Sequence, residues 1–313
     1  MLETLGIEDF LKLPGPLYDV RSPSEFIQGT IPGAWSLPLF SDEERKEVGI
    51  FYKKNPSAAF LLGLKFAGPK LTSLAEEGLK SKTAGRTRIF CFRGGQRSGS
   101  IAWLFRTAGV LATTLQGGYK AFRRLVFKTF SKTYTFKVIG GLSGSGKTAL
   151  LHQLKQEGKQ VIDLEALAGH KGSVFGHLGK ATQPSNESFE NSLAYSLMAM
   201  IAEEPIWIED ESRRIGSCKI PDPIYLQMKQ ASFHYLETPK VCRQERLILE
   251  YGNFPKEELV KAVFSLIKRL GEMRTREIIN YIQENRLEEA VVLLLDYYDK
   301  AYLHSIHSRL IPT

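Results

Sequence analysis

Short apolar runs alternate with stretches of helical periodicity along most of the chain. This alternation predicts α/β layering rather than a helical bundle or a β-sandwich. In the first half, residues 16–21, 35–40, 88–92 and 113–118 read as strands, with helices over 42–52 and 96–108 between them. In the second half, 135–141, 160–164, 205–210 and 233–237 read as strands, with helices over 147–157 and 188–204. Beyond Pro239 the pattern is almost wholly helical and offers no chemistry. A basic amphipathic helix ends and a new strand begins near 131–134, which predicts one domain over 1–130 and another over 131–313.

The 313 residues suffice for two domains with separate cores. Hydrophobic residues at 43% and charged residues at 24% disfavour disordered and fibrous classes. The first residues carry acids and lack an apolar core behind a basic start, so they do not read as a signal peptide. No stretch is apolar enough over its length to span a bilayer. Cys91, Cys218 and Cys242 are odd in number and widely spaced, which argues against a disulfide framework or a compact zinc site and favours a reducing cytoplasm. Cys218 and Cys242 read as buried structural thiols.

The net charge of +8 is carried by residues 1–130, since acids and bases balance beyond them. Its most biased stretch, 119–137, holds Lys120, Arg123, Arg124 and Lys128 among aromatic residues and no acid. Two readings stand: a surface for an RNA backbone and its unstacked bases, or a solvated helix whose apolar face is core.

Cys91 follows an apolar strand and precedes Phe92-Arg93-Gly94-Gly95-Gln96-Arg97-Ser98, after which a helix begins. A turn of backbone amides leading into a helix N-terminus stabilises a thiolate or a persulfide anion, and Arg93 and Arg97 add fixed positive charge. Gly94 and Gly95 permit the curled backbone. The competing account, an inert cysteine at a strand end, does not explain the glycines and arginines.

Gly141-Leu142-Ser143-Gly144-Ser145-Gly146-Lys147-Thr148 fits G-x-x-x-x-G-K-[ST] with a strand before it and a helix after it. Amides of Gly141, Ser143, Gly144, Ser145 and Gly146 would wrap phosphate oxygens, Lys147 would reach terminal phosphates and Thr148 would ligand a Mg2+ ion. The acid such a site needs lies at the end of the strand over 205–210, and Glu209 and Asp210 remain equal candidates, against a solvated strand end. The glycine-rich loop 169–176 is either part of the site or a plain connection. Arg213 and Arg214 suit phosphate or RNA, with an ion pair to the preceding acids as the simpler account.

Residues 18–26 (YDVRSPSEF), 29–34 (GTIPGA) and 91–98 (CFRGGQRS) together resemble the rhodanese superfamily, with Thr30 where members usually carry His. The resemblance implies a cysteine that carries sulfur or selenium as a persulfide-type adduct. Phosphatases of the same superfamily share the Cys-x5-Arg spacing from Cys91 to Arg97, but Phe90 stands where they generally have His. A rhodanese-like α/β domain followed by a P-loop NTPase-like parallel-sheet domain with a helical C-terminal extension is similar to the bacterial tRNA 2-selenouridine synthase family. So is the segment 207–216 (WIEDESRRIG).

That resemblance implies replacement of sulfur by selenium in the wobble 2-thiouridine of tRNA. It implies selenophosphate and geranyl diphosphate as substrates, a selenophosphate supplier as partner and no tightly bound cofactor, while a Mg2+ ion is the expectation of the P-loop motif and no membrane that of the apolar pattern. The alternatives are a sulfurtransferase fused to an ATP-dependent kinase or ATPase, and a rhodanese-fold phosphatase.

Overall fold

A computed structural model describes residues 3–82 and 85–310, with side chains as far as Ile306. The chain folds as two compact units, Met1–Thr129 with Glu190–Tyr195, and Phe130–Phe189 with Ser196–Thr313. Among the described residues no helix is long and apolar enough to cross a membrane.

The first unit is built on five parallel strands, β1 (Glu3–Leu5), β2 (Leu17–Asp19), β3 (Trp35–Ser36), β4 (Thr87–Phe90) and β5 (Ala112–Leu115), in the order β1-β5-β4-β2-β3. Every residue of β2 and β5 is buried, as expected for inner strands covered on both faces, which read as continuous rather than alternating apolar runs. Tyr18, Ile89, Ile101 and Phe105 form the centre of the core. Helix Asp42–Lys54 starts at a capping box in which Ser41 accepts from the Glu44 amide. The predicted strand over 35–40 shrinks to Trp35–Ser36, because Pro38 has no amide to give a ladder. Helix Pro56–Ala67, absent from the periodicity reading, starts at Asn55, whose side chain accepts from the Ala58 amide ahead of Pro56.

One buried ion pair fixes the end of β2. Arg21 donates to Asp19 through Nε and one terminal nitrogen at 2.6–3.1 Å and to the Gly29 carbonyl at 2.5 Å, and it lies 3.8 Å over the Tyr119 ring. The Thr30 hydroxyl donates to the same Asp19 carboxylate at 2.8 Å. Thr30 therefore supports this pair at the position where relatives of the superfamily usually carry His.

The second unit holds four parallel strands, β6 (Phe136–Gly140), β7 (Gln160–Ile162), β8 (Ile206–Glu209) and, after a small antiparallel hairpin of β9 (Arg214–Ile215) and β10 (Cys218–Lys219), β11 (Ser232–Tyr235). Their order is β11-β6-β8-β7. The hairpin strands are too short for a hydrophobic period to register. Helix Asn186–Met198 begins two residues before the predicted 188, where the Ser185 side chain accepts from the Ser188 amide, and stops short of 204. After β11 the chain is helical, over Lys240–Tyr251, Lys256–Phe264, Ile267–Leu270, Glu272–Gln283 and Leu287–Leu310. These helices bury a cluster around Phe175, Val263, Ile278 and Leu294.

Asp19→Ala leaves the Arg21 guanidinium buried without its counter-charge. Urea unfolding of the full chain should show the transition of the first unit destabilised by about 3–5 kcal/mol. A shift under about 1 kcal/mol would mean that the pair does not carry that load.

Candidate functional sites

Cys91 is the first residue after β4 and is only 3% exposed. The Ser98 hydroxyl, in the first turn of helix Gln96–Thr107, lies 3.2 Å from its Sγ and donates to the Gly95 carbonyl. Between them the amides of Arg93 to Gln96 donate to no carbonyl among the described residues, so they are available to an anion. Gly94 has φ +68°, and a Cβ there would collide with the Leu115 carbonyl oxygen and press on the amides of Gly117 and Gly118. The turn is thus seated directly on the backbone after β5. Tyr119 and Lys120 donate their amides to the carbonyls of Cys91 and Phe92, which completes that seating.

The two arginines of the turn differ. Arg97 bonds Glu25 at 2.7 Å, and Arg45 approaches the same carboxylate at 3.5 Å. Burial opposes ionisation of Glu25, but the hydrogen bond and charge of Arg97 outweigh it and hold the carboxyl below its ordinary value. Arg97 therefore braces the helix start, while Arg93 and Gln96 are exposed at the rim.

The phosphate loop runs from Gly141 to Thr148 between β6 and helix Lys147–Gln156. It is held from the helical region. Arg243, paired with Asp299 at 2.7 and 2.9 Å, donates to the Ser143 carbonyl at 3.2 Å, Arg246 donates to the Gly144 carbonyl, and Thr238 donates to the Ser145 carbonyl at 3.0 Å. The Gly141 amide donates to the Tyr302 hydroxyl at 3.0 Å, which in turn donates to Asp210 at 3.1 Å. Lys147 Nζ donates to the Gly141 carbonyl at 2.9 Å, folded across the mouth of its own loop.

Because β8 pairs with β6, the acids ending β8 stand beside this loop. The two candidates part company there. Asp210 is tied to Tyr302 and lies 3.8 Å from Lys229. Glu209 is fully buried among carboxylates instead: those of Glu165, Glu209 and Glu211 have oxygens within 4.8 Å of one another. Glu209 accepts the Glu165 amide at 2.8 Å through Oε1, while Oε2 has no hydrogen-bond partner among the described residues. Burial first, and then the charge of Glu165, raises the Glu209 carboxyl well above its ordinary value and pushes Glu211 up to about 8. The solvated strand end is therefore not what forms. Glu165 escaped the sequence reading, although it stands two residues after Asp163 at the end of β7 and so repeats the position of Glu211 after Glu209 at the end of β8.

Loop, acids and helices surround a cavity of about 1070 Å3. One part is polar, with Lys147, Thr148, Glu165, Lys171, Gly172 and Glu211. The other is aliphatic and aromatic, with Ile282, Val291, Leu294, Leu295 and Tyr298 from the last two helices and Phe175 from the loop 169–176. That loop thus contributes to the site, and the helical region with no legible chemistry supplies an apolar wall.

The remaining candidates lie as follows. In helix Gly118–Phe130 the aromatic residues Tyr119, Phe122 and Phe130 are core, while Lys120, Arg124 and Lys128 are exposed. Arg123 is held within the first unit by Glu190 and Asn191 at 2.6 Å each and lies over Phe127. Arg213 pairs with Asp222 rather than with the acids before it, because the β9–β10 hairpin turns the chain back toward Asp222, and Arg214 is exposed on β9. Cys218 is buried as expected, but Cys242 is exposed, since helix Lys240–Tyr251 turns Arg243 inward in its place.

A cysteine heading an amide-lined turn on one parallel-sheet unit and a phosphate loop on the next define a rhodanese-like unit joined to a P-loop unit. Residues 7–125 match the rhodanese-like domain, and 134–311 match the tRNA 2-selenouridine synthase AAA domain. The tRNA 2-selenouridine synthase of Aeromonas salmonicida (strain A449) is 33% identical over 331 residues, covering 94% of this chain and 88% of that protein. That of Pseudomonas fluorescens (strain Pf0-1) is 37% identical over 331 residues, covering 92% and 87%. The chain belongs to the tRNA 2-selenouridine synthase family.

A raised carboxyl pKa means that the folded chain binds more protons than the unfolded one between the ordinary value of 4.5 and about 8. Stability contributed by the proton on Glu211 is therefore lost as pH rises through that window. In chelator, the melting temperature should fall across it, and Glu211→Gln should flatten the fall. Parallel profiles for the two proteins would remove Glu211 from the cluster.

Proposed function

We propose that this enzyme converts the wobble 2-thiouridine of tRNA to 2-selenouridine in two stages divided between its units. In the first, the sulfur of the base attacks C1 of geranyl diphosphate, the C1–O bond breaks and pyrophosphate leaves. In the second, water cleaves the P–Se bond of selenophosphate to give phosphate and selenide held at the Cys91 turn, the selenide attacks C2, and the C2–S bond breaks to release geranylthiol, with no change of oxidation state. Alkylation makes that sulfur a far better leaving group than a thiocarbonyl sulfur.

The observation that carries the reading is a single cavity lined both by the phosphate loop and by aliphatic side chains of the last two helices. A diphosphate joined to a branched hydrocarbon chain matches that lining. The aliphatic side chains of Ile282, Val291 and Leu294 would pack against such a hydrocarbon chain. Amides of the loop and Lys147, once turned from the Gly141 carbonyl, would hold the diphosphate and stabilise the charge that grows on it as the C–O bond breaks. A Mg2+ ion, which the motif through Thr148 implies, would supply further neutralisation of that charge, and the oxygen donors around the polar end fit it. On the first unit, the free amides of the Cys91 turn and the Ser98 hydroxyl would hold the anionic selenophosphate and the selenide released from it beside the Cys91 thiol. The exposed bases Lys120, Arg124 and Lys128 are the stronger candidates of the helix for the tRNA backbone, with Arg214 on the second unit.

Nucleoside mass spectrometry after incubation of 2-thiouridine tRNA with geranyl diphosphate and selenophosphate tests the division. Cys91→Ala should accumulate S-geranyl-2-thiouridine. Lys147→Ala and Val291→Trp should leave 2-thiouridine unchanged, the latter while still binding pyrophosphate. Selenouridine formed by Cys91→Ala, or ATP hydrolysis without competition by geranyl diphosphate, would overturn it.

A further inference from the structure

We propose that Glu165, Glu209 and Glu211 together bind one divalent cation of the Mg2+ class, and that Asp210, the other acid at the end of β8, takes no part in holding it. The proposal deepens the phosphate-binding reading of this cavity and rests on it.

The three carboxylates converge with oxygens within 4.8 Å of one another, yet among the described residues none is in an ion pair. The neighbouring lysines make their direct contacts elsewhere, Lys147 to the Gly141 carbonyl, Lys171 to Glu250 and Lys229 to Asp210, and the charge of Lys147 acts on Glu165 and Glu211 only across space. Convergent carboxylates need either shared protons or a counter-cation.

Two independent features favour the cation. Glu209 Oε2 is completely buried and has no hydrogen-bond partner among the described residues. The backbone opposite has been left without a side chain. Gly172 has φ +69°, and a Cβ on it would stand 2.9 Å from Glu211 Oε2 and 3.4 Å from Glu165 Oε1. That cradle keeps the two cavity-facing carboxylates free to move onto an ion. An all-carboxylate oxygen set is hard and suits Mg2+ or Mn2+ rather than a thiolate- or imidazole-seeking metal. Asp210 has its oxygens engaged by Tyr302 and Lys229, and its service to the loop is structural, through the Tyr302 hydroxyl that also receives the Gly141 amide. Glu165 and Glu211 line the same cavity as Lys147 and Thr148, so an ion held by them faces the bound diphosphate.

The test uses the full chain stripped of divalent cations, titrated with Mn2+ alone and with inorganic pyrophosphate, with free Mn2+ read by electron paramagnetic resonance. The wild type should bind one Mn2+. Glu165→Gln and Glu211→Gln should each weaken that binding on the order of tenfold or more, and Asp210→Asn should leave it within about threefold. Because Glu209→Gln alters a buried position, the two cavity-facing variants carry the decision. No Mn2+ bound by the wild type under either condition, undiminished binding in both Gln variants, or loss confined to Asp210→Asn would each overturn the proposal. Pyrophosphate binding, followed separately by calorimetry with Lys147→Ala as control, distinguishes the two readings. Its absence from a wild type that still binds Mn2+ through Glu165 and Glu211 would sink the phosphate reading and leave the cation site standing.

Discussion

A phosphate loop works only if its amides converge on one point, and in this chain that convergence depends on β6 ending beside β8. Pairing those strands puts Gly140 and Asp210 at one edge of the sheet, where a single tyrosine hydroxyl serves both the loop and the acid. The order β11-β6-β8-β7 also places the end of β7 next to that of β8, so carboxylates distant in sequence face one another across the opening. Ligand crevices at the carboxyl ends of parallel strands arise where the order of connection reverses, and β6 is that strand here.

Each unit sets a turn of backbone amides at the head of a helix, with different supports. The Cys91 turn sits on its own sheet, with Gly94 pressed onto the chain leaving β5 and Arg97 anchored to Glu25. The phosphate loop is braced instead by the helical region, through Arg243, Arg246 and Tyr302. In the first case the supports come from the connections after the two neighbouring strands, β2 and β5, of the same sheet. In the second, the residues that shape the site are spread over most of the unit.

This difference explains what could be read in advance. Both strand–turn–helix segments are local, and their glycines, Cys91 and Lys147 stand in consecutive residues, so spacing alone locates them. The carboxylate cluster is set by strand order, which no pattern within β7 or β8 reveals, and Glu209 could not be told from Asp210 until the partner of each was visible. The apolar wall escaped for a related reason: helices that line a cavity have the same amphipathic period as helices that pack a core. Charge was legible only in sum. The basic stretch divides into mostly core aromatics, an arginine occupied by Glu190 and Asn191, and four exposed bases, Lys120, Arg124, Lys128 and Lys132, and that division depends on which face is covered.

Tyr302 has a further consequence, in time rather than space. Its hydroxyl closes the loop at Gly141 across 161 residues of chain, so the pocket is finished by one of the last helices to be made. At about 5–20 residues per second, a ribosome exposes the phosphate loop many seconds before the tyrosine that completes it. Cys91 and its seat at Gly117 and Gly118 lie wholly in the part synthesised first. The cysteine turn and its seat are thus synthesised before the residue that closes the phosphate loop, and a chain whose synthesis stops early would carry the first set of residues without Tyr302.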